Sequence, residues 1–221
     1  MSQAAAARLK LFQLVSPALP VGAFSYSEGL EVLVQQGLLS GPLDLEAWLR
    51  AELQRGAVAM EAAALEGLLV LLRGGDLPAA QELDGWLLAQ REAAEVRAQQ
   101  RQMGQSLLLL LADLGWPLPA AASLAWPAAY AWAAQCLEID SPALEEAYLY
   151  SWVANQISAA VRLVPLGPTQ GQRLQLTLAP FIAERAAALA ASDPRQLWNG
   201  GIGAGLAQLQ HAELYSRLFR S

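Results

Sequence analysis

His211 is the only histidine and Cys136 the only cysteine in 221 residues. Nucleophilic catalysis needs an activated Ser, Cys or Thr beside a base that a third group orients. One imidazole supports one such arrangement at most, and no G-x-S-x-G turn presents a serine for it. Zinc sites draw on several Cys and His side chains, and nickel favours imidazole and other nitrogen donors. One Cys and one His cannot supply the paired spacings. Cys136 lies in an apolar stretch and reads as a small buried hydrophobe, with no intrachain disulfide open to it. A lone histidine such as His211 is more often structural than catalytic.

Carboxylates offer little more. Glu92 and Glu95 stand three apart, Glu145 and Glu146 are adjacent, and neither pair has a histidine at ligand spacing. Both are expected on solvated helix faces. Gly200-Gly201-Ile202-Gly203-Ala204-Gly205 lacks the Lys and Ser/Thr of a phosphate loop and has no strand before it. It is expected to be a turn that lets two segments approach closely, and no nucleotide or metal cofactor is expected on this chain.

Recognition is the chemistry that remains. Tyr215 to Ser221 brings together Tyr, Phe, Leu and two arginines, and Tyr and Arg are enriched among interface hot spots. A terminal segment frays unless it docks, so residues 213–221 are expected to dock on a partner or a dimer mate, or on their own domain. Ser16 to Glu31 reads S-P-A-L-P-V-G-A-F-S-Y-S-E-G-L-E. Pro17 and Pro20 fix φ and remove donors, Gly22 and Gly29 open backbone angles closed to other residues, and Phe24 and Tyr26 need something to pack on. This is a bent, packed connector rather than a free linker.

These groups must be held by helices. Alanine and leucine dominate, β-branched residues are sparse, and no strand-length alternation appears. The patterning predicts one all-α domain over 1–221, an irregular bundle of about eight helices. The first covers Gln3 to Val15 and the second Ser27 to Gln36. Asp44 is expected to cap a third, which continues past Gly56 to Arg73. Pro78 to Leu114 forms the longest, polar between Gln90 and Gln105. Ser141-Pro142 opens one that ends before Pro165, Gln172 to Ala191 another with a kink at Pro180, and Gly203 to Tyr215 the last.

Composition limits the partners. Hydrophobic residues make up 55% and charged ones 15%, against about 25% charged in an average domain. Surface left so apolar suits an oligomer or a subunit of a complex. A net charge of −6, with Lys10 the only lysine, argues against nucleic acid. Leu114 to Leu137 carries no charge, but Pro117, Pro119 and Pro127 interrupt it, so two buried helices rather than a membrane span are expected. Arg8 and Lys10 follow the N-terminal alanines instead of preceding an apolar core, so the cytoplasm is expected.

The order of the motifs is more specific than their composition. Ser16-Pro17 and Leu19-Pro20-Val21-Gly22-Ala23-Phe24-Ser25-Tyr26-Ser27-Glu28-Gly29-Leu30-Glu31 resemble the N-terminal signature of the urease accessory protein UreF family. Ser158-Ala159-Ala160-Val161-Arg162-Leu163, Pro165-Leu166-Gly167 and Gly171-Gln172 give a second match, and Tyr215 to Ser221 a third, in the family's order. The resemblance implies an all-helical homodimer and not an enzyme. It implies a chaperone that binds UreD/UreH, recruits the GTPase UreG, and helps place nickel in apo-urease, with nickel and GTP handled by the complex. It also implies partner contacts at Phe24, Ser27, Glu31, Arg162, His211, Tyr215, Arg217 and Phe219, and backbone-shaping roles for Pro20, Gly22, Gly29, Pro165, Gly167 and Gly171. The chain departs from the family at Tyr26, at Trp126-Pro127 and at Ala212, where histidine or glutamate is common. Two other readings stay open: a stand-alone helical enzyme with an apolar pocket, and a helical adaptor unrelated to urease.

Overall fold

Alanine decides which helices come closest. The computed structural model describes residues 3–221; Met1 and Ser2, the start of the expected 1–221 domain, lie outside it. Among the described residues the chain forms ten α-helices and no strand: α1 (Gln3–Leu14), α2 (Leu30–Gln35), α3 (Pro42–Arg55), α4 (Ala57–Arg73), α5 (Leu77–Ala89), α6 (Ala94–Asp113), α7 (Trp126–Leu137), α8 (Ala143–Leu163), α9 (Pro168–Ala190) and α10 (Ile202–His211). From Ala57 to Leu65 α4 is buried on all sides, and α7 is buried from Pro127 to Ala134. A helix that is apolar all round belongs in the centre, and small alanine faces let two axes approach closely. These two helices form the middle of the bundle, with α3, α5, α8 and α9 around α4 and α6 against α7. At the latter contact a Cβ on Gly104 would sit on the Leu124 carbonyl oxygen and 2.7 Å from the Ala125 carbonyl carbon, so α6 lies directly on the backbone that enters α7.

Short polar devices set the helix ends. Asp84 of α5 accepts the Ala125 N–H at 2.8 Å and so caps α7 from a neighbouring helix. Burial pushes its carboxyl up to about 6, against the pull of those backbone N–H groups. Pro127 sits in the first turn of α7 and starts the helix rather than breaking it. No helix of the described residues is long and apolar enough to cross a membrane.

The sequence patterning differs from these elements in instructive places. Asp44 does not cap α3, which starts at Pro42 after Gly41. Its carboxylate instead reaches back to accept from the Ser40 N–H at 3.0 Å and hydroxyl at 2.8 Å. The helix expected to pass Gly56 breaks there, where the backbone turns extended (φ −81°, ψ 177°) and the Glu52 carboxylate occupies the space a Cβ would need. The long pattern from Pro78 to Leu114 is two helices. Between them Arg91 turns inward, and Arg97 donates to the freed carbonyls of Arg91 (2.6 Å) and Glu92 (2.7 Å). The second helix starts late, at Leu30, because Glu28 (φ 51°) and Gly29 (φ 88°) are left-handed. The ninth starts early, at Pro168, where the Gln170 side chain accepts the Gly167 N–H at 3.0 Å. It runs on through Pro180 to Ala190. The last helix stops at His211 rather than Tyr215.

Candidate functional site

The first motif and the last residues of the chain meet. After Gly22 (φ 72°) a single 3-10 turn, Ala23–Ser25, swings Phe24 outward to 69% exposure while Tyr26 and Ser27 turn in. The tail then pairs with the motif in a strand-like exchange. Arg220 N–H donates to the Ser25 carbonyl at 2.9 Å, and Ser27 N–H donates to the Ser221 carbonyl at 2.8 Å. That same carbonyl accepts from Glu28 N–H at 3.1 Å and from the Ser27 hydroxyl at 2.7 Å. Consecutive N–H groups converge because Glu28 and Gly29 are left-handed, which turns the backbone into a small concave donor set.

Glu31 fastens the tail a second time. It is buried, and its carboxylate accepts Leu218 N–H at 2.7 Å and Phe219 N–H at 3.0 Å. His211, fully buried, places Nε2 3.4 Å from Glu31 and Nδ1 2.8 Å from Glu95. The other oxygen of Glu95 accepts from Arg217 at 2.6 Å. Phe219 is buried with the Arg162 guanidinium 4.5 Å above its ring, a cation–π pair that seals the tail from outside.

A second layer supports the first. Gln99 of α6 donates to Glu28 at 2.9 Å and accepts from the Ser221 hydroxyl at 2.6 Å. Trp152 also donates to Glu28, at 3.2 Å. Behind it Arg91 is paired with Glu61 at 2.6 Å and lies 3.8 Å from Glu28, and Tyr148 donates to Glu61 at 2.8 Å. Burial raises the Glu61 carboxyl above its ordinary value, with Arg91 opposing. Burial also works against the Arg91 charge, but Glu61 and Glu28 outweigh it and hold its pKa above the usual range. Glu52, at the edge of this cluster, is pushed up by burial to about 7.

The candidate residues therefore fall into two groups. Ser27, Glu31, His211 and Phe219 are buried inside the clamp, whereas Phe24, Arg162, Tyr215 and Arg217 are exposed, Tyr215 fully so. Gly22 and Gly29 supply the positive φ that bends the motif, and a Cβ on Gly29 would meet the Gln208 backbone nitrogen at 2.9 Å. Pro20 is exposed at the start of the bend. Pro165 and Gly167 form the turn between α8 and α9 and stand apart from the clamp, while a Cβ on Gly171 would lie 3.1 Å from Ile157, so that glycine sets the approach of the two helices. Gly200 donates to the Arg55 carbonyl at 2.7 Å, which is the close approach expected of the glycine-rich loop.

Several participants were not legible. Glu95 and Glu145 do not lie on solvated faces: Glu95 is held between His211 and Arg217, and Glu145 is fully buried beside the Ser141 hydroxyl at 2.7 Å. Burial raises the Glu145 carboxyl. Cys136 is half-buried, with its thiol pushed up to about 11 by burial. Arg91, Gln99 and Gln100 are buried, although the stretch around them reads as polar. The one signal for the two glutamines is that they fall three and four residues after Val96 and ahead of Met103, on the same helix face as these two apolar residues. Among the described residues no group of three His, Cys, Asp or Glu side chains is placed to hold a metal ion.

One face points the other way. Helix α10 buries Ala204, Ala207, Gln208 and His211 but exposes Ile202, Leu206 and Leu209, with Trp198 just ahead of it at 84% exposure. A helix in a finished surface turns its large apolar residues inward. This one is inverted, and the stripe lies on the element that leads into the clamped tail.

The chain is all-α, its polar residues lock its own motifs together, and large apolar side chains face outward on α10. The UreF family profile matches residues 39–179. Relatives named urease accessory protein UreF are similar across nearly the whole chain: 40% identity in Alkalilimnicola ehrlichii, covering 97% of this chain and 96% of that one, 40% in a Nostoc species over 96% and 95%, and 41% in Microcystis aeruginosa over 96% and 97%. The chain belongs to the UreF family of urease accessory proteins, which are chaperones and not enzymes.

Proposed function

We propose that this chain is the scaffold of a urease maturation complex in the cytoplasm. It works as a homodimer, binds an accessory protein of the UreD/UreH type, recruits the GTPase UreG, and couples GTP hydrolysis to the placement of nickel in apo-urease. The observation that carries this reading is the inverted face of α10, with Ile202, Leu206 and Leu209 exposed beside the docked tail. Apolar area of this kind gains stability when a partner covers it. Tyr215 and Arg217, exposed on the tail, extend the same surface.

The only imidazole is enclosed between Glu31 and Glu95. Nickel carried by the complex is therefore assigned to the partners' side chains. The chain acts on the GTPase by binding its conformations unequally, which shifts their populations. An inserted arginine would act differently, with an effect of about 10³–10⁵ on the hydrolysis rate. Replacing Arg97, Arg101, Arg162 and Arg217 singly distinguishes the two: unequal binding predicts that no single loss reaches about a thousandfold while the complex still forms.

The test is co-purification with the cognate accessory proteins and apo-urease, followed by activation with nickel and GTP. Active urease is expected only when the chain is present, and Leu206→Glu is expected to abolish complex formation without unfolding the chain. Full activation without the chain, or a Leu206→Glu variant that assembles normally, would overturn the reading.

A further inference from the structure

Two glycines at the start of α10 leave room for two carboxylates. A Cβ on Gly201 would lie 3.2 and 3.3 Å from the Glu52 oxygens, and one on Gly205 would lie 3.2 Å from Glu92 Oε2. The glycines are four residues apart, so the carboxylates lie against adjacent turns of one helix, about 5.4 Å apart along its axis. Both line a pocket of about 50 Å³ between the end of α3, the turn from α5 to α6, and α10. Glu52 is the deeper, at 7% exposure, and Glu92 is exposed.

Neither carboxylate makes a hydrogen bond or an ion pair among the described residues. An anion as deep as Glu52 is costly to hold until a cation joins it. Arg91 also lines the pocket, but it is committed to Glu61 at 2.6 Å, with Glu28 at 3.8 Å. No group of three His, Cys, Asp or Glu side chains among the described residues is placed for a metal ion, so chelation is a poor fit. One ammonium needs only three acceptors. Glu52 and Glu92 offer two, and the third is the Asn199 side-chain oxygen, which already accepts the Gly201 N–H at 3.0 Å.

The pocket's size selects the cation. An ammonium is a compact point charge on a slender apolar stem, whereas a guanidinium is a wide planar fork. Ala57, Ala204 and Ile202 give the stem apolar walls. The chain has no such group to spare, because Lys10 is its only lysine and is paired with Glu138. A second copy is no better supplied. Ile202 belongs both to this pocket and to the outward apolar stripe, and Trp198 and Leu206 adjoin the lining residues Asn199 and Gly205. A partner laid on the stripe therefore reaches the pocket, and a net charge of −6 favours a basic one.

We propose that this pocket takes a lysine side chain of the partner that covers the Trp198, Ile202 and Leu206 face, with its ammonium between Glu52 and Glu92. The proposal rests on the reading of α10 as a partner-covered face, and it adds what that partner must carry: a lysine set in an apolar surface.

The probe is a fluorescein-labelled peptide with one lysine among leucines and serines, followed by anisotropy on the purified chain. Its acetyl-lysine and arginine counterparts are the controls. The lysine peptide is expected to bind most tightly and to lose about tenfold or more in affinity on Glu52→Gln. Glu184→Gln, at an exposed carboxylate of α9, is expected to change nothing. Burial pushes the Glu52 carboxyl up to about 7, with Arg91 opposing, Glu28 reinforcing and Arg55 opposing. Affinity is therefore expected to rise from about pH 6 to about pH 8, as Glu52 gives up its proton. Gly205→Ala favours the helix but presses on Glu92, so thermal stability is expected to hold or rise while affinity falls. A counterpart that binds as tightly, no binding, a loss matched by Glu184→Gln, or an affinity that does not rise with pH would overturn the proposal. Complex assembly with Leu206→Glu is a separate readout, so failure of the lysine pocket and failure of the α10 reading are distinguishable.

Discussion

Glu31→Gln probes the clamp at its most heavily used atoms. The carboxylate accepts the Leu218 and Phe219 N–H groups at 2.7 and 3.0 Å and faces His211 Nε2 at 3.4 Å. An amide keeps the size but leaves one acceptor oxygen, so one of the two tail N–H groups must face an NH₂ donor. Hydrogen bonds to a charged group contribute about 1.5–3 kcal/mol each, and the bond that survives loses its charge assistance. The combined cost is about 2–4 kcal/mol, applied to the tail and not to the core. With each 1.4 kcal/mol a factor of ten, tail opening is favoured by about 30-fold to roughly 700-fold. Amide hydrogen exchange reads this directly as lost protection at Leu218 and Phe219. Buried amides of α4 and α7 are expected to keep most of theirs, because neither helix touches Glu31 through a hydrogen bond. Unchanged protection at Leu218 and Phe219 would refute the reasoning, and so would a loss spread evenly over α4 and α7.

Three other outcomes follow from the packing. Glu52 has a carboxyl raised by burial from 4.5 to about 7, so the folded state holds its proton longer than the unfolded chain. Stability is then lost as pH rises from about 4.5 through about 7, by at most about 3 kcal/mol, and Glu52→Gln is expected to flatten denaturant midpoints across that window. Gly104→Ala drives a methyl into the Leu124 carbonyl and is expected to cost about 3 kcal/mol, whereas Gly85→Ala, in open space within α5, should gain about 0.5–1 kcal/mol; thermal melts of the pair check both. Arg91→Met leaves Glu61 and Glu28 buried without their cation, and a loss of about 3–5 kcal/mol in chemical denaturation is expected.

Helices were readable where the apolar period was uninterrupted, as in α8, because a core-facing stripe leaves a periodic trace. Boundaries failed where a distant residue made the decision. At Gly56, where α3 ends, the Glu52 carboxylate fills the space a side chain would take, and α2 waits until Leu30 because Ser27 and Glu28 direct their N–H groups to residue 221. The polar run around Gln99 looks like a solvated face because nothing local distinguishes a glutamine that meets water from one that meets a buried glutamate and a tail hydroxyl. The two ends of the clamp were visible as motifs, Pro20 to Glu31 and Tyr215 to Ser221. Their pairing was not, since no pattern in one segment specifies the other. Trp198, Ile202, Leu206 and Leu209 were legible as apolar, but only the fold shows that the helix had turned its alanines inward.

The contact between Ser27 and Ser221 spans 194 positions and gives the protein a sense of order in time. During synthesis the first motif, α6 and the bulk of the core exist before the tail does, so Glu31, Glu28 and Gln99 stand with their partners still unmade. Closure waits until residues 217–221 have been made, and before then the polar seam at the base of α2 stands open. The first motif is therefore completed by residues made nearly two hundred positions after it.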